Sequence, residues 1–333
     1  MKTKNKILAL ALALIICAAP LLSCSTQAKY QTKYIFAMDT DINIYIDASR
    51  DATELLALCE QAIYNFENIV SKTRTGSDVY KLNAGEHVVC DDVTLYLISA
   101  AGMVNELSGG LFDPTVAGLV SMWDECEKEN TLPSAERLEA ELALVGFDGV
   151  NVGELGEVWL DEGVTLDLGG IAKGYVEEAV SELIKENAQA YGVRGYMLDF
   201  GGMIGAFGEK PSGENYRIGI KNPDGSGANK GLVELSSGFV SVSGDYERFY
   251  TVGGEKYHHI IDPKTGYPAE TGLSAVAVIS DDGTLADALS TALFLMGYER
   301  SVELYESGIF EFEAVFFMSG GDVRTTPNAN YFE

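Results

Sequence analysis

The chain has 333 residues, 47% of them hydrophobic, and a formal charge of −27 at pH 7. That is apolar material for a substantial core, in one large domain or two intertwined lobes. The charge excludes nucleic acid as a partner, since phosphate backbones are bound through Lys and Arg, and leaves no electrostatic means of docking on anionic lipid.

Lys2, Lys4 and Lys6 precede an apolar run over 7–22 that ends in Leu21-Leu22-Ser23-Cys24. A basic start and a short apolar stretch predict a secretory signal peptide over 1–23. The run is shorter than the roughly 20 residues a membrane-spanning helix needs. Leu-Leu-Ser-Cys resembles a lipobox, which predicts a lipid on Cys24 and an extracytoplasmic protein anchored to the bacterial membrane. Residues 24–33 read as the tether and 34–333 as the folded domain. Loss of the leader's lysines takes the charge from −27 to about −30. An anionic ligand then needs a local remedy, such as a divalent metal. Cys59, Cys90 and Cys126 are too widely spaced for a disulfide framework or a zinc site and read as small buried thiols.

Residues 34–46 alternate apolar and polar, with Ile42, Ile44 and Ile46 on one face, which predicts a strand. Asp51 and Glu54 read as a capping pair for a helix carrying Leu55, Cys59, Ile63 and Phe66. Residues 72–77 form a loop. A helix over about 93–107 ends at Ser108-Gly109-Gly110, and LFDPTVAGLVSMW follows, with a turn at Asp113-Pro114. Ser134 caps a further helix that ends near Gly146. Residues 151–168 read as a hairpin of strands, and a long helix covers about 171–187. The second half is strand-rich: 196–200, 217–221, 232–235, 239–242 and 273–279, then a helix over 285–296 and a loose end from 325. Strands and helices do not alternate strictly, which favours an α+β fold over a doubly wound sheet.

Several stretches carry chemistry. LDLGGIAKGY (166–175) reads as a strand-to-helix junction with Asp167 near the strand's end. Its glycines admit a close ligand, the helix start offers unpaired N–H groups to an anion, and Lys173 lies in the first turn. A Gly-Gly turn before a helix can equally be only a turn, and neither a Walker loop nor a Rossmann fingerprint is present. His258 and His259 are two of the chain's three histidines. As strand neighbours they face opposite sides, so one can face a site and the other solvent or core, or the pair can equally be strand histidines with no role. In ADALST (286–291), Asp287 and Thr291 are i and i+4 on a helix and point the same way, with Ser290 able to lean in. A carboxylate with a hydroxyl suits a hard ion such as Mg²⁺; in isolation, such an Asp can also be a solvated residue near a helix start.

Taken in order, MDTDINI, GGLFDPTVAGL, LDLGGIAKGY, the Gly201-Gly202 turn, RIGIKNP, SGDYERFY, YHHIIDPKTGYP and ADALSTALFLMG resemble the bacterial flavin transferase family ApbE, over residues 38 to about 297. The resemblance implies a single α+β domain of mixed or antiparallel sheets with packed helices. It implies a Mg²⁺-dependent transfer of FMN from FAD to a Thr or Ser hydroxyl of an acceptor redox protein, with release of AMP. By the resemblance, Asp167 contacts FAD, and Met38, Gly110, Leu111, Phe112, Lys173 and Ile261 are further flavin-nucleotide contacts. The Gly170 carbonyl with Asp287 and Thr291 would hold Mg²⁺, and His259 would serve the transfer. Asp39 stands where the family commonly has glycine, and the 72–77 loop lacks a tyrosine often found there. The implied acceptors are membrane or exported redox proteins, such as subunits of sodium-pumping and Rnf-type complexes. Two other readings stand beside this one: an FAD pyrophosphatase giving FMN and AMP, and a non-catalytic flavin-binding lipoprotein.

Overall fold

The computed structural model describes residues 30–208, 210, 212–223 and 227–333. The signal peptide, Cys24 and most of the tether lie outside the described residues. The first elements are β1 (Gln31–Ala37) and β2 (Thr40–Ala48), an antiparallel hairpin where the alternation predicts one strand from residue 34. The turn is Met38-Asp39, both with positive φ (53° and 57°), the pairing of left-handed residues that a two-residue hairpin needs. The buried positions are odd before the turn (Ile35, Ala37) and even after it (Ile42, Ile44, Ile46), a shift that the unbroken apolar run from Tyr34 to Met38 hides in the sequence.

The chain continues with α1 (Thr53–Val70), α2 (Asp78–Asn83), β3 (Val88–Val89), α3 (Asp92–Ser108), α4 (Ala117–Glu129) and α5 (Ala135–Leu142). Then come β4 (Val150–Val152), β5 (Glu157–Leu160), α6 (Gly169–Tyr191), β6 (Val193–Phe200), β7 (Met203–Gly208), β8 (Tyr216–Lys221) and β9 (Asn229–Leu235). The remainder is β10 (Ser237–Gly244), β11 (Phe249–Val252), β12 (Glu255–His258), β13 (Leu273–Ser280), α7 (Gly283–Ser307), β14 (Glu313–Met318), β15 (Val323–Thr325) and β16 (Tyr331–Phe332).

An eight-stranded sheet of order β1-β2-β6-β7-β10-β13-β14-β15 is antiparallel throughout and forms the centre. Successive residues of its middle strands face opposite layers. Val276 and Val278 of β13 and Phe316 of β14 pack under α1, α3, α6 and α7. Ala275, Ala277, Val315 and Phe317 pack against a three-stranded sheet, β16-β9-β8, on the other side. Burial on both faces is why 273–279 reads as a nearly unbroken apolar run. Among the described residues no helix is long and apolar enough to cross a membrane.

Four local expectations change. Asp51 accepts from the Thr53 N–H at 3.0 Å, but Glu54 does not close a capping box and is reached instead by the Tyr191 hydroxyl. Residues 164–168 are not a ladder strand; a single parallel bridge joins Thr165 to Val116. α4 is a helix that the Asp113-Pro114 turn does not announce. The end of the chain is tied down: Tyr331 and Phe332 pair with Val233 and Leu232, and buried Thr326 accepts from the Ala314 N–H at 2.8 Å. The remaining cysteines are free and buried, and burial pushes the Cys59 and Cys90 thiols up to about 12.

Candidate functional site

The helices α6 and α7 meet at a pair of glycines. A Cβ on Gly174 would fall 2.0 Å from the Gly283 carbonyl oxygen and 2.8 Å from Asp287 Cβ, so only glycine lets the backbones touch. This contact sets Asp287, one turn further along α7, against the start of α6. The Asp287 carboxylate is 3% exposed. Its Oδ2 accepts from the Gly174 N–H at 3.0 Å and its Oδ1 from the Lys173 ammonium at 3.1 Å, with the Ser241 hydroxyl 3.5 Å away. Lys173 also donates to the Gly169 carbonyl at 3.3 Å. Thr291 lies one turn beyond Asp287. A Cβ built on Gly170 would be 4.0 Å from Thr291 Oγ1 and 3.2 Å from the Phe112 ring. Phe112, Gly170, Lys173, Asp287 and Thr291 therefore share one place.

The other residues singled out in the sequence surround it. Asp167 Oδ2 accepts from Lys72 at 2.6 Å, and its Oδ1 takes the Gly169 N–H at 2.8 Å. The first amide of α6 is thus already occupied, and the Ile171 N–H bonds to the Leu168 carbonyl. Positive charge at this helix start comes from Lys72 and Lys173 rather than from a row of open amides. Leu111 and Phe112 are buried, their N–H groups held by Ser108 Oγ at 3.2 and 2.9 Å, while Gly110 stands in open space. Met38 sits at the β1–β2 turn, its N–H held by Glu67 at 2.9 Å. The Ile261 side chain turns into a small cluster with Leu119, Met122, Trp123 and Leu138, which leaves only its backbone to a ligand.

The two adjacent histidines have different surroundings. His258 points inward: its Nδ1 accepts from the Ile260 N–H at 3.2 Å, so Nε2 carries the proton and donates to the Ala269 carbonyl at 3.0 Å. Both nitrogens are used and the ring is structural. His259 Nδ1 lies 3.3 Å from the Arg248 carbonyl. A carbonyl only accepts, so Nδ1 holds the proton and Nε2 is left as the base. The His259 ring is exposed, yet protein atoms crowd around it. Desolvation, helped by the charges of Arg248, His258 and Lys173, lowers its proton affinity to about 4. Glu247, in SGDYERFY, shows the same combination of exposure and surrounding bulk; burial raises its pKa, and the charges of Lys173 and Asp287 reach it.

Among the described residues no group of three or more His, Cys, Asp or Glu side chains is placed to hold a metal. A cation at Asp287 would be a hard one, bound by one carboxylate with hydroxyl and carbonyl oxygens and keeping its waters, as Mg²⁺ does. The donor set fits: the Asp287 and Gly169 oxygens already hold the Lys173 ammonium. Two surface depressions of about 430 and 580 Å³ lie elsewhere and are lined by none of these residues.

Sequence reasoning missed Lys72, Ser241, Ser243 and Glu177. The serines share one face of β10 at period two, which the chain does display; what they face it does not. Glu177 is fully buried, with neither carboxylate oxygen hydrogen-bonded. The Gly205 amide comes near enough to favour its ionised form but lacks hydrogen-bond geometry. Burial dominates and raises its pKa well above the usual carboxylate range.

The chain matches the ApbE family model over residues 38–316. It is 33% identical to the FAD:protein FMN transferase of Treponema pallidum (strain Nichols), over 85% of this chain and 83% of that one. It is 31% identical to the FAD:protein FMN transferase of Klebsiella pneumoniae (strain 342), over 72% and 75% of the two chains. The crystal structure of the ApbE protein of Thermotoga maritima superposes with a TM-score of 0.80 at 32% identity, covering 90% of this chain and 97% of that one. With a shared antiparallel core and relatives matched along most of their length, this chain belongs to the ApbE family.

Proposed function

We propose that this protein transfers FMN from FAD to a Thr or Ser hydroxyl of an acceptor redox protein and releases AMP. The observation that carries the reading is the meeting of Asp287, Thr291, Gly170 and Lys173 at one point. Hard oxygens for a cation stand there beside a lysine for a phosphate. The activity named for the Treponema and Klebsiella relatives supports it.

Mg²⁺, held by the Asp287 carboxylate, the Thr291 hydroxyl and the Gly170 carbonyl, would neutralise the diphosphate and polarise the phosphorus under attack. Lys173, released from Asp287, adds its charge to the phosphates. Asp167, steadied by Lys72, and the turns at Met38 and at Gly110, Leu111 and Phe112 contact the flavin nucleotide, with the Ile261 backbone. The acceptor hydroxyl attacks the phosphorus on the FMN side. Its oxygen–phosphorus bond forms as the anhydride bond to AMP breaks. His259 Nε2 takes the hydroxyl proton, a role worth typically 10²–10⁴-fold. FMN stays on the acceptor as a phosphoester.

The leader and Cys24 support an extracytoplasmic protein anchored by lipid. Its acceptors would be membrane or exported redox proteins, such as Rnf-type or sodium-pumping complex subunits. Palmitate labelling of cells making the wild type and Cys24→Ala tests the anchor; equal labelling refutes it. Incubation with FAD, Mg²⁺ and a candidate acceptor, followed by mass spectrometry, tests the reaction through an FMN adduct and AMP. Free FMN without adduct would favour the second reading, FAD pyrophosphatase. The openness of His259 to solvent favours that reading, since water can reach the same base. A flavin-storage lipoprotein would have no use for the Asp287–Thr291 pair.

A further inference from the structure

Beneath Asp287 and Thr291 runs a chain of hydroxyls that no step above uses. Thr291 Oγ1 lies 3.2 Å from Ser243 Oγ, which lies 2.8 Å from Ser290 Oγ, which lies 3.1 Å from Ser241 Oγ. Ser241 Oγ is 3.5 Å from Asp287 Oδ1, and Ser290 Oγ donates to the Asp287 main-chain carbonyl at 2.9 Å. Ser241 and Ser290 are 2% and 1% exposed, so the links between them are shielded from water. The chain joins two elements: Ser241 and Ser243 project from β10 on the face of Phe239, and Ser290 and Thr291 from α7.

Each hydroxyl has one proton to give and two lone pairs to receive with. The ends of the chain at Asp287, a carboxylate and a carbonyl, can only receive. Ser290 gives its proton to the Asp287 carbonyl at 2.9 Å, a group that can only accept. Its oxygen is then left to receive from Ser243, at the tightest link in the chain. With that proton committed, Ser243 can only accept from Thr291. The Thr291 proton is drawn inward, and its lone pairs are left on the side of Gly170.

We propose that Ser243, backed by Ser290 and Ser241, is a positioning residue that orients the Thr291 hydroxyl, proton towards the core and oxygen outward, as a ready ligand for a hard divalent cation. The proposal rests on the cation site of the proposed function. A threonine free to rotate would present its proton to the ion for part of the time and bind it less well. Outer-shell groups of this kind alter metal affinity by about 10–100-fold.

The test is Mn²⁺ binding to the purified protein without FAD or acceptor, followed by titration calorimetry and by the electron paramagnetic resonance signal of free Mn²⁺. Ser243→Ala should weaken binding about ten-fold, and Ser243→Thr, which keeps the oxygen, should restore most of it. In a Thr291→Val background, Ser243→Ala should change nothing more, which a general packing defect would not reproduce. If Ser243→Ala does not fold, Ser243→Cys, of similar size and a weak acceptor, takes its place with the same expected loss. Binding abolished by Asp287→Ala but unchanged by Ser243→Ala would overturn the relay and leave the cation site standing. A wild type that does not bind Mn²⁺ would overturn both.

Discussion

Asp287 and Glu177 lie in the same layer, between the α6–α7 pair and the central sheet, and are opposite cases. Both are buried carboxylates. Asp287 receives a lysine, a backbone amide and a serine. Glu177 has no hydrogen-bond partner on either oxygen, and a Cβ on Gly205 would fall 2.7 Å from its Oε1. A buried charge must be compensated or be neutralised by a proton. Asp287 is compensated by groups that a ligand can replace, Lys173 above all. At Glu177 burial favours the protonated form. The difference separates a carboxylate arranged for exchange from one that only costs stability.

The comparison can be broken at either residue, and the largest effect is expected at Asp287. Asp287→Ala should remove Mg²⁺-dependent transfer, a loss on the order of 10³-fold or more if the cation carries the phosphorus chemistry. Undiminished FMN transfer to an acceptor would refute the assignment. His259→Gln should slow transfer by roughly 10²–10⁴-fold with FAD binding intact. Because its folded proton affinity is depressed to about 4, the wild-type acid limb should fall near that pH and not near the ordinary 6.5 of histidine. A limb near 6.5 would mean that another group takes the proton.

At Glu177 the effect is on stability. Glu177→Leu should stabilise the fold by about 1–3 kcal/mol by removing an unpaired buried polar group. The sign with pH follows from its raised affinity. The folded protein holds the proton well above the 4.5 of an unfolded glutamate, so the group's stabilising contribution is full below about pH 4.5 and is lost as pH rises. Glu177→Gln should therefore gain on the wild type between acid and neutral pH in urea titrations; a constant gap would refute the neutral acid. The smallest effect is expected at Lys72. Its pair with Asp167 is partly exposed, so Lys72→Met should cost about 0.2–1 kcal/mol of stability. A several-fold rise in the KM for FAD should accompany it, and an unchanged KM would detach Lys72 from the nucleotide.

Much of the site was legible along the chain where its members share one element. Asp287 and Thr291 sit a helical turn apart, so periodicity alone puts both oxygens on one side. The opposed faces of His258 and His259 follow from strand alternation, although their final roles depend on which carbonyl each ring meets. Lys72 could not be read, because a loop lysine displays no partner and Asp167 lies 95 residues away. The alternation over residues 34–46 hid a turn because residues 34–38 are all apolar and mask the one-residue shift of phase at the hairpin. The end of the chain looked loose because a two-residue strand is too short for any pattern, yet β9 supplies its ladder.

The linear order of residues determined the family, the antiparallel α+β character and the kinds of atom available: a carboxylate and a hydroxyl on one helix, a lysine and glycines on another, a histidine at a strand's end. Those follow from local spacing and side-chain chemistry. The tertiary structure alone decided that Gly174 and Gly283 bring those two helices into contact, that serines on β10 lie under Thr291, and that Glu177 is buried without a partner. Such facts depend on which surfaces meet. Packing is a property of pairs of elements far apart in the chain, and neither member of a pair displays the other.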